Sequence, residues 1–139
     1  MKILLLILIC SCFFSSAKSQ LSLLGKSEKD VLIEASGENF FLKNRSVRNK
    51  GADSLVILEF FPRNPKDTAF NFTKTLFIRN EVCKGYMITN FISALPNFIQ
   101  AINSKYRRVD DTHWIDSNAY YQATLNISKD VFSMFFEKL

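Results

Sequence analysis

Residues 76–91, LFIRNEVCKGYMITNF, decide the fold because they are the densest run of β-forming residues in the chain. As one straight strand the run would reach roughly 50 Å, at about 3.3 Å per residue, whereas a compact domain of this size has a radius of gyration of about 14 Å. The run must therefore fold back. Polar residues interrupt it at 79–81, where Asn80 tolerates turn conformations. We predict a hairpin with strands over residues 75–78 and 82–89.

Upstream of this hairpin we predict a helix followed by further strands. Ser27 can cap the first free amide groups of the helix, with Asp30 three residues on, and Gly37 ends it. Residues 39–43 predict a first strand, and the polar residues that follow predict a loop. Residues 54–61, SLVILEFF, predict a strong second strand. Its apolar run is uninterrupted from 55 to 58, so we expect both of its faces to be covered.

Downstream of the hairpin, residues 94–106 predict a second helix. Apolar residues recur on one helical face, with Pro96 near the start, where its missing amide hydrogen costs nothing. Residues 119–127 and 131–138 predict a second hairpin. Phe132, Met134 and Phe136 would share one face of its last strand. Residues 109–115 fit either a strand or a loop.

These elements together predict an α+β fold, because runs of strands alternate with segregated helices. We expect one antiparallel sheet of five to seven strands with two helices packed on one face, in the order α-β(3-4)-α-β(2-3). Residues 20–139 would form this single domain.

Residues 1–19 predict an export signal. Lys2 supplies a positive start, and residues 3–14 form an apolar run of 12 residues, well short of the about 20 that span a membrane. Small residues near its end place the cleavage between Ser19 and Gln20, which gives a secreted or periplasmic protein. The alternative is a lipid anchor on Cys12, because residues 9–12 loosely resemble a bacterial lipobox.

The charge balance and the cysteines restrict the function further. The chain has 18 basic and 13 acidic residues, and Lys2 and Lys18 leave with the signal. The remaining excess is too small to predict nucleic-acid binding. Loss of the signal also leaves Cys83 as the single cysteine, so no internal disulfide is expected. We expect its thiol to be buried and inert within an apolar strand.

No catalytic residue, metal ligand or cofactor is predicted. His113, the sole histidine, lies in the segment DDTHWID between Asp110 and Asp116. A metal site there would lack a second histidine or mature cysteine, so a polar turn beside a packed tryptophan is the favoured interpretation. The alternative function is a secreted hydrolase-like enzyme that uses this segment, or Cys83 and His113 as nucleophile and base.

Two groups of residues could instead bind a partner. Four basic residues could meet an acidic polymer or anionic lipid head groups, or simply form a solvated hairpin tip: Lys43, Arg45, Arg48 and Lys50. Three aromatic residues could form a platform for a sugar or peptide, although core packing is the commoner use of such residues: Trp114, Tyr120 and Tyr121.

The first helix and its lead-in carry a resemblance. Residues 24–27, LGKS, followed by Val31 and Gly37, resemble the opening of outer-membrane-assembly small lipoproteins and of the β-lactamase-inhibitor-like fold. Phe77 with residues 80–83, and Tyr106 with Trp114, are similar to features of uncharacterised secreted proteins of Bacteroidota type. The resemblance implies a non-enzymatic envelope or binding role.

We therefore expect a small exported, non-enzymatic binding or envelope-associated protein that acts through the face or edge of its sheet. Its partner would be an unknown protein or small ligand, and the protein would be a monomer. A eukaryotic secreted effector or antigen is a further alternative.

Overall fold

The structure is a computed structural model that describes residues 22–37, 39–67 and 71–139. The predicted export signal, with its cleavage position and Cys12, lies outside these residues. The described elements are α1 (Glu28–Ser36), β1 (Phe40–Lys50), β2 (Asp53–Pro62), β3 (Thr73–Arg79), β4 (Val82–Phe91), a 3-10 turn (Ile92–Ala94), α2 (Leu95–Asn103), β5 (Tyr106–Arg108), β6 (His113–Asp116), β7 (Tyr121–Ser128) and β8 (Val131–Lys138).

The eight strands form one antiparallel sheet in the order β1-β2-β3-β4-β8-β7-β6-β5. Each half of the chain is a helix followed by four strands, and within each half every strand pairs with the next one in sequence. The halves join where β4 pairs with β8 at the centre of the sheet. The last strand of each half therefore lies at the seam.

The predicted α+β class with an antiparallel sheet is correct, but the predicted sheet of five to seven strands with two helices packed on one face is wrong. The described residues form eight strands, and the helices are two short elements of nine residues each. The order is one helix, four strands, one helix and four strands, not α-β(3-4)-α-β(2-3). The sequence predicts a second helix that extends to Tyr106, yet residues 106–108 pair as β5 against β6.

The hairpin predicted from residues 76–91 is confirmed as β3 and β4. Its turn residues Asn80 and Glu81 have φ angles of 49° and 68°, a left-handed conformation that asparagine tolerates better than most residues. Asn80 Oδ1 also accepts a hydrogen bond from the Ser54 amide at 3.1 Å, and its Nδ2 donates to Asp53 at 3.2 Å. This side chain therefore ties the β3–β4 turn to the start of β2.

The first strand is longer than predicted. The sequence indicated a strand over residues 39–43 and then a loop, but β1 continues to Lys50 and pairs with β2 along its length. A register shift between Leu42 and Asn44 marks a bulge at Lys43. The polar composition reflects the place of β1 at the edge of the sheet, where charged residues and bulges are common.

One face of the sheet, the core face, carries the buried side chains. Alternate residues of the central strands point to this face and lose nearly all their solvent contact: Leu58, Phe60, Leu76, Ile78, Tyr86, Ile88, Phe132, Met134, Phe136, Ala123 and Trp114. Val31 and Ala35 of α1 and Ile102 of α2 belong to the same core. The predicted shared face of Phe132, Met134 and Phe136 is thereby confirmed.

The first helix begins and ends as its sequence predicts, whereas α2 begins near the predicted position but ends at Asn103, three residues early. Ser27 caps α1, because its hydroxyl oxygen accepts a hydrogen bond from the Asp30 amide at 3.3 Å, and Gly37 follows the last turn with a φ of 49°. In α2, Pro96 lies in the first turn, and Trp114 Nε1 donates to Asn103 Oδ1 at 2.7 Å, which fixes the end of the helix to β6.

Candidate functional site

The opposite, outer face of the sheet carries apolar side chains that are only half-buried. Cross-strand pairing places Ile57, Phe77, Met87 and Phe135 near the centre of this face. Leu55 lies beside them on β2. The sequence predicted cover on both faces of residues 55–58, and this is wrong, because Leu55 and Ile57 keep part of their surface in solvent while Val56 and Leu58 are buried.

These side chains form an open cavity, the outer-face cavity, with a volume of about 480 Å³. Its lining comes from strands β2, β3, β4 and β8: Leu55, Phe77, Arg79, Lys84, Gly85, Phe135 and Glu137. Phe77 and Phe135 meet edge to face, with ring centroids 5.6 Å apart. Clefts of about 300–1,000 Å³ with apolar walls and a few polar groups are the usual form of small-molecule sites.

Gly85 makes the aromatic wall of this cavity possible. A Cβ atom at position 85 would lie 2.5 Å from Cζ of Phe135, well inside van der Waals contact. The absence of a side chain therefore lets the Phe135 ring lie against the β4 backbone. Lys84, beside it, is the extra residue of a bulge opposite Phe77 and Ile78, and bulges redirect side chains near binding sites.

A second pocket, the basic pocket, adjoins the outer-face cavity. It has a volume of about 220 Å³ and shares Leu55 and Arg79 with the outer-face cavity. Arg48 and Lys50 of β1 also line it, together with Asp53. Arg48 and Arg79 flank Leu55 as its cross-strand neighbours, so their Cβ atoms are about 10 Å apart. The apolar cavity therefore continues into a group of cations.

These cations have no acidic partner among the described residues. No carboxylate oxygen there lies within 4 Å of Arg48, Lys50, Arg79 or Lys84, since the ion pairs involve other residues. The two nearby carboxylates are engaged with amides: Asp53 accepts from Asn80 at 3.2 Å, and Glu137 accepts from Gln122 at 2.7 Å. Positive charge therefore predominates at this end of the outer face.

The sheet has another apolar pocket, the end pocket, of about 270 Å³. Its described lining is aromatic, aliphatic or uncharged polar: Phe61, Pro62, Pro65, Asn71, Phe72, Thr73, Thr89, Asn90, Phe91 and Val131. Phe91 is 57% exposed there. Because this lining offers no charged group, the end pocket has less means of orienting a ligand than the outer-face cavity.

The predicted basic cluster divides between two roles. Arg45 forms an ion pair with Glu28 of α1 at 2.7 Å, and the Lys43 amine lies 4.2 Å from the centroid of the Phe61 ring. Arg48 and Lys50 alone reach the basic pocket. The structure thus retains half of the predicted cluster and adds Arg79 and Lys84 from the central hairpin.

Cys83 and His113 are not brought together. Cys83 is 1% exposed on the core face of β4, as predicted, and burial raises the pKa of its thiol to about 11. His113 begins β6 and lies three strands away in the sheet, a separation of about 14 Å from strand spacing alone. A base must come within about 3 Å of the group that it deprotonates, so these two side chains cannot act as nucleophile and base.

The segment around His113 forms a self-contained polar turn. Asp110 accepts hydrogen bonds from the Thr112 amide at 2.8 Å and pairs with His113 Nδ1 at 2.9 Å. The Thr112 amide bond, followed by the His113 contact, lowers the pKa of Asp110 to about 2. Among residues 22–37, 39–67 and 71–139, no group of three or more histidine, cysteine or acidic side chains is arranged to hold a metal ion.

The three aromatic residues considered as a platform are also separated. Trp114 is fully buried in the core, with the Arg108 guanidinium 5.6 Å from its ring. Tyr120 is 61% exposed in the turn before β7, and its amide donates to Asp116. Tyr121 is half-buried. A flat platform of all three is therefore absent from the described structure.

The sequence did not identify Leu55, Phe77, Arg79 or Phe135 as site residues. Leu55, Phe77 and Phe135 lie in predicted strands, where alternation separates them from the core residues, whereas Arg79 lies at the end of β3, at a position predicted to be part of the turn. Their assembly, however, depends on the pairing of β2 with β3 and of β4 with β8. Only that pairing brings residues 55, 79 and 135 to one place.

Comparison of the chain with protein-family models, curated proteins and solved structures gives no match. Neither α1 nor α2 has the length and apolar composition needed to cross a membrane, and the described part of the chain has no other candidate span. The geometry of the outer face is therefore the basis on which the function is inferred.

Proposed function

We propose that this chain is a small exported, non-enzymatic binding protein that acts through the outer face of its sheet. The observation that carries the proposal is the outer-face cavity, where Leu55, Phe77 and Phe135 remain half-exposed around a space of about 480 Å³. Exposed apolar patches of this kind commonly mark interaction sites.

The position of the cavity supports a binding role. Its residues come from β2, β3, β4 and β8, which are consecutive strands of the sheet, so strand pairing holds the walls of the cavity in place. Rigid strands position a site more accurately than loops do. Gly85 further supports the proposal, because the absence of a Cβ atom leaves room for the Phe135 ring against the β4 backbone.

A fluorescence titration with Nile red, an uncharged apolar dye, tests this proposal on the full chain. We expect saturable binding that Phe135→Ser weakens about tenfold, since one aromatic wall of the cavity is lost. Leu55→Ser should weaken it in the same direction. Phe91→Ser is the matched control, because it removes an exposed phenylalanine from the end pocket and leaves the outer-face cavity intact.

Thermal melts of each variant verify that the protein is folded in the titration. Unchanged dye affinity in both Phe135→Ser and Leu55→Ser would show that the cavity is not a binding site. Loss of binding in Phe91→Ser alone would place the site in the end pocket, and the proposal would be wrong.

A further inference from the structure

We infer that the outer-face cavity takes a single-chain amphiphile with an anionic head group, such as a long-chain carboxylate. This inference rests on the proposed function and specifies its ligand. The apolar chain would lie along Leu55, Phe77 and Phe135, and the head group would lie at Arg79, where the cavity meets the basic pocket.

The shape of the two pockets supports an amphiphile. An apolar space of about 480 Å³ opens at one end into a polar space of about 220 Å³, and Leu55 and Arg79 line both. A ligand that fills both spaces must be apolar along its length and polar at one end. A purely apolar ligand would leave the basic pocket unused, and a small anion would leave the aromatic wall unused.

The charges select an anionic head. The two pockets are lined by four cations, and none of them has a carboxylate partner within 4 Å among the described residues: Arg48, Lys50, Arg79 and Lys84. Asp53 and Glu137 are the acidic residues in the two linings, and each already accepts a hydrogen bond from a side-chain amide. An arginine guanidinium binds carboxylates and phosphates through two parallel hydrogen bonds, which makes Arg79 the best-suited anchor.

The concave shape favours one bound molecule over a membrane surface. Apolar groups that insert into a bilayer protrude from the protein. Here Leu55, Phe77 and Phe135 instead line a recess of about 480 Å³ in the face of the sheet. The occupant is therefore a free amphiphile, and binding to vesicles is a separate outcome of the test.

The test is displacement of Nile red from the full chain by three probes with the same 12-carbon chain, each used below its micelle concentration: dodecanoate, dodecanol and dodecyltrimethylammonium. We expect dodecanoate to bind about tenfold more tightly than the other two. Arg79→Gln should remove this preference and leave the affinity for dodecanol unchanged. Arg107→Gln is the matched control, because Arg107 is an exposed arginine of β5 at the far edge of the sheet.

Equal affinities for the three probes, or a dodecanoate preference that persists in Arg79→Gln, would overturn the inference while the binding function stands. Failure of every probe to displace the dye would contradict the proposed function as well. Binding to anionic phospholipid vesicles that dodecanoate does not inhibit would assign the cations to a membrane surface, which also overturns the inference.

Discussion

The two faces of the sheet have similar side chains and different surroundings. Phe136 points to the core face, stacks on Tyr86 with ring centroids 5.8 Å apart, and is buried. Phe135, the preceding residue, points to the outer face and keeps part of its surface in solvent. The two residues are of the same type and lie in the same strand. Their burial differs because the rest of the chain packs over the core face and leaves the outer face partly open. An apolar face without such cover is available to a ligand.

The largest effect should come from removing the strand that carries both phenylalanines. Deletion of residues 131–139 removes β8, which pairs with β4 on one side and β7 on the other. The deletion also removes Phe132, Met134 and Phe136 from the core, and each such side chain contributes roughly 1.5–3 kcal/mol. This sum rivals a domain stability of about 5–15 kcal/mol. We expect no cooperative thermal melt by circular dichroism.

Deletion of Lys138 and Leu139 alone is the control, since both are exposed at the end of the chain. It should melt like the full chain. If the larger truncation melted cooperatively within a few degrees of the full chain, β8 would be peripheral, and its pairing with β4 at the centre of the sheet would be wrong.

Two single substitutions at adjacent positions measure how differently the core face and the outer face are buried. Phe136→Ala should lower the free energy of unfolding by about 3–5 kcal/mol, as is typical of a fully buried phenylalanine. Phe135→Ala should cost less, about 1–2 kcal/mol, because part of its ring is already in water. Urea unfolding curves give both values. Equal losses would show that the outer face is covered as completely as the core face.

A smaller, pH-dependent effect is expected from the charge inside the core face. Lys74 is 5% exposed, donates a hydrogen bond to the Ala35 carbonyl at 3.2 Å, and lies over the Phe40 ring. Burial lowers the pKa of its amine from 10.5 to about 8. The folded protein therefore binds a proton less readily than the unfolded chain, and retaining that charge below pH 8 costs about 3 kcal/mol.

The stability that Lys74 contributes should change with pH between its folded and unfolded pKa values. Between about pH 8 and 10.5 the folded state releases the proton first, so the stability of the wild type should rise relative to Lys74→Met. Unfolding in urea at pH 7 and pH 10 measures this change. Lys84→Met, which replaces an exposed lysine, is the control for the change of residue type. If the stability difference between the wild type and Lys74→Met did not change with pH, the Lys74 amine would be solvated.

Much of the local structure could be read from the sequence. The cap at Ser27, the stop at Gly37 and the β3–β4 turn at Asn80 each depend on residues within a few positions of one another. The burial of Cys83 followed from its place in an apolar strand. The candidate site could be predicted only in part, since Arg48 and Lys50 were recognised as basic residues without their apolar neighbours.

The sequence by itself determined where most strands and both helices lie, because turn, cap and alternation signals are local. The tertiary structure alone decided that β4 pairs with β8, that residues 106–108 form an edge strand, and that Leu55, Arg79 and Phe135 meet. Strand pairing depends on contacts between residues that are far apart in the sequence, so it cannot be predicted from any short stretch. For the same reason, the apolar residues at 55 and 57 could not reveal that their face stays open.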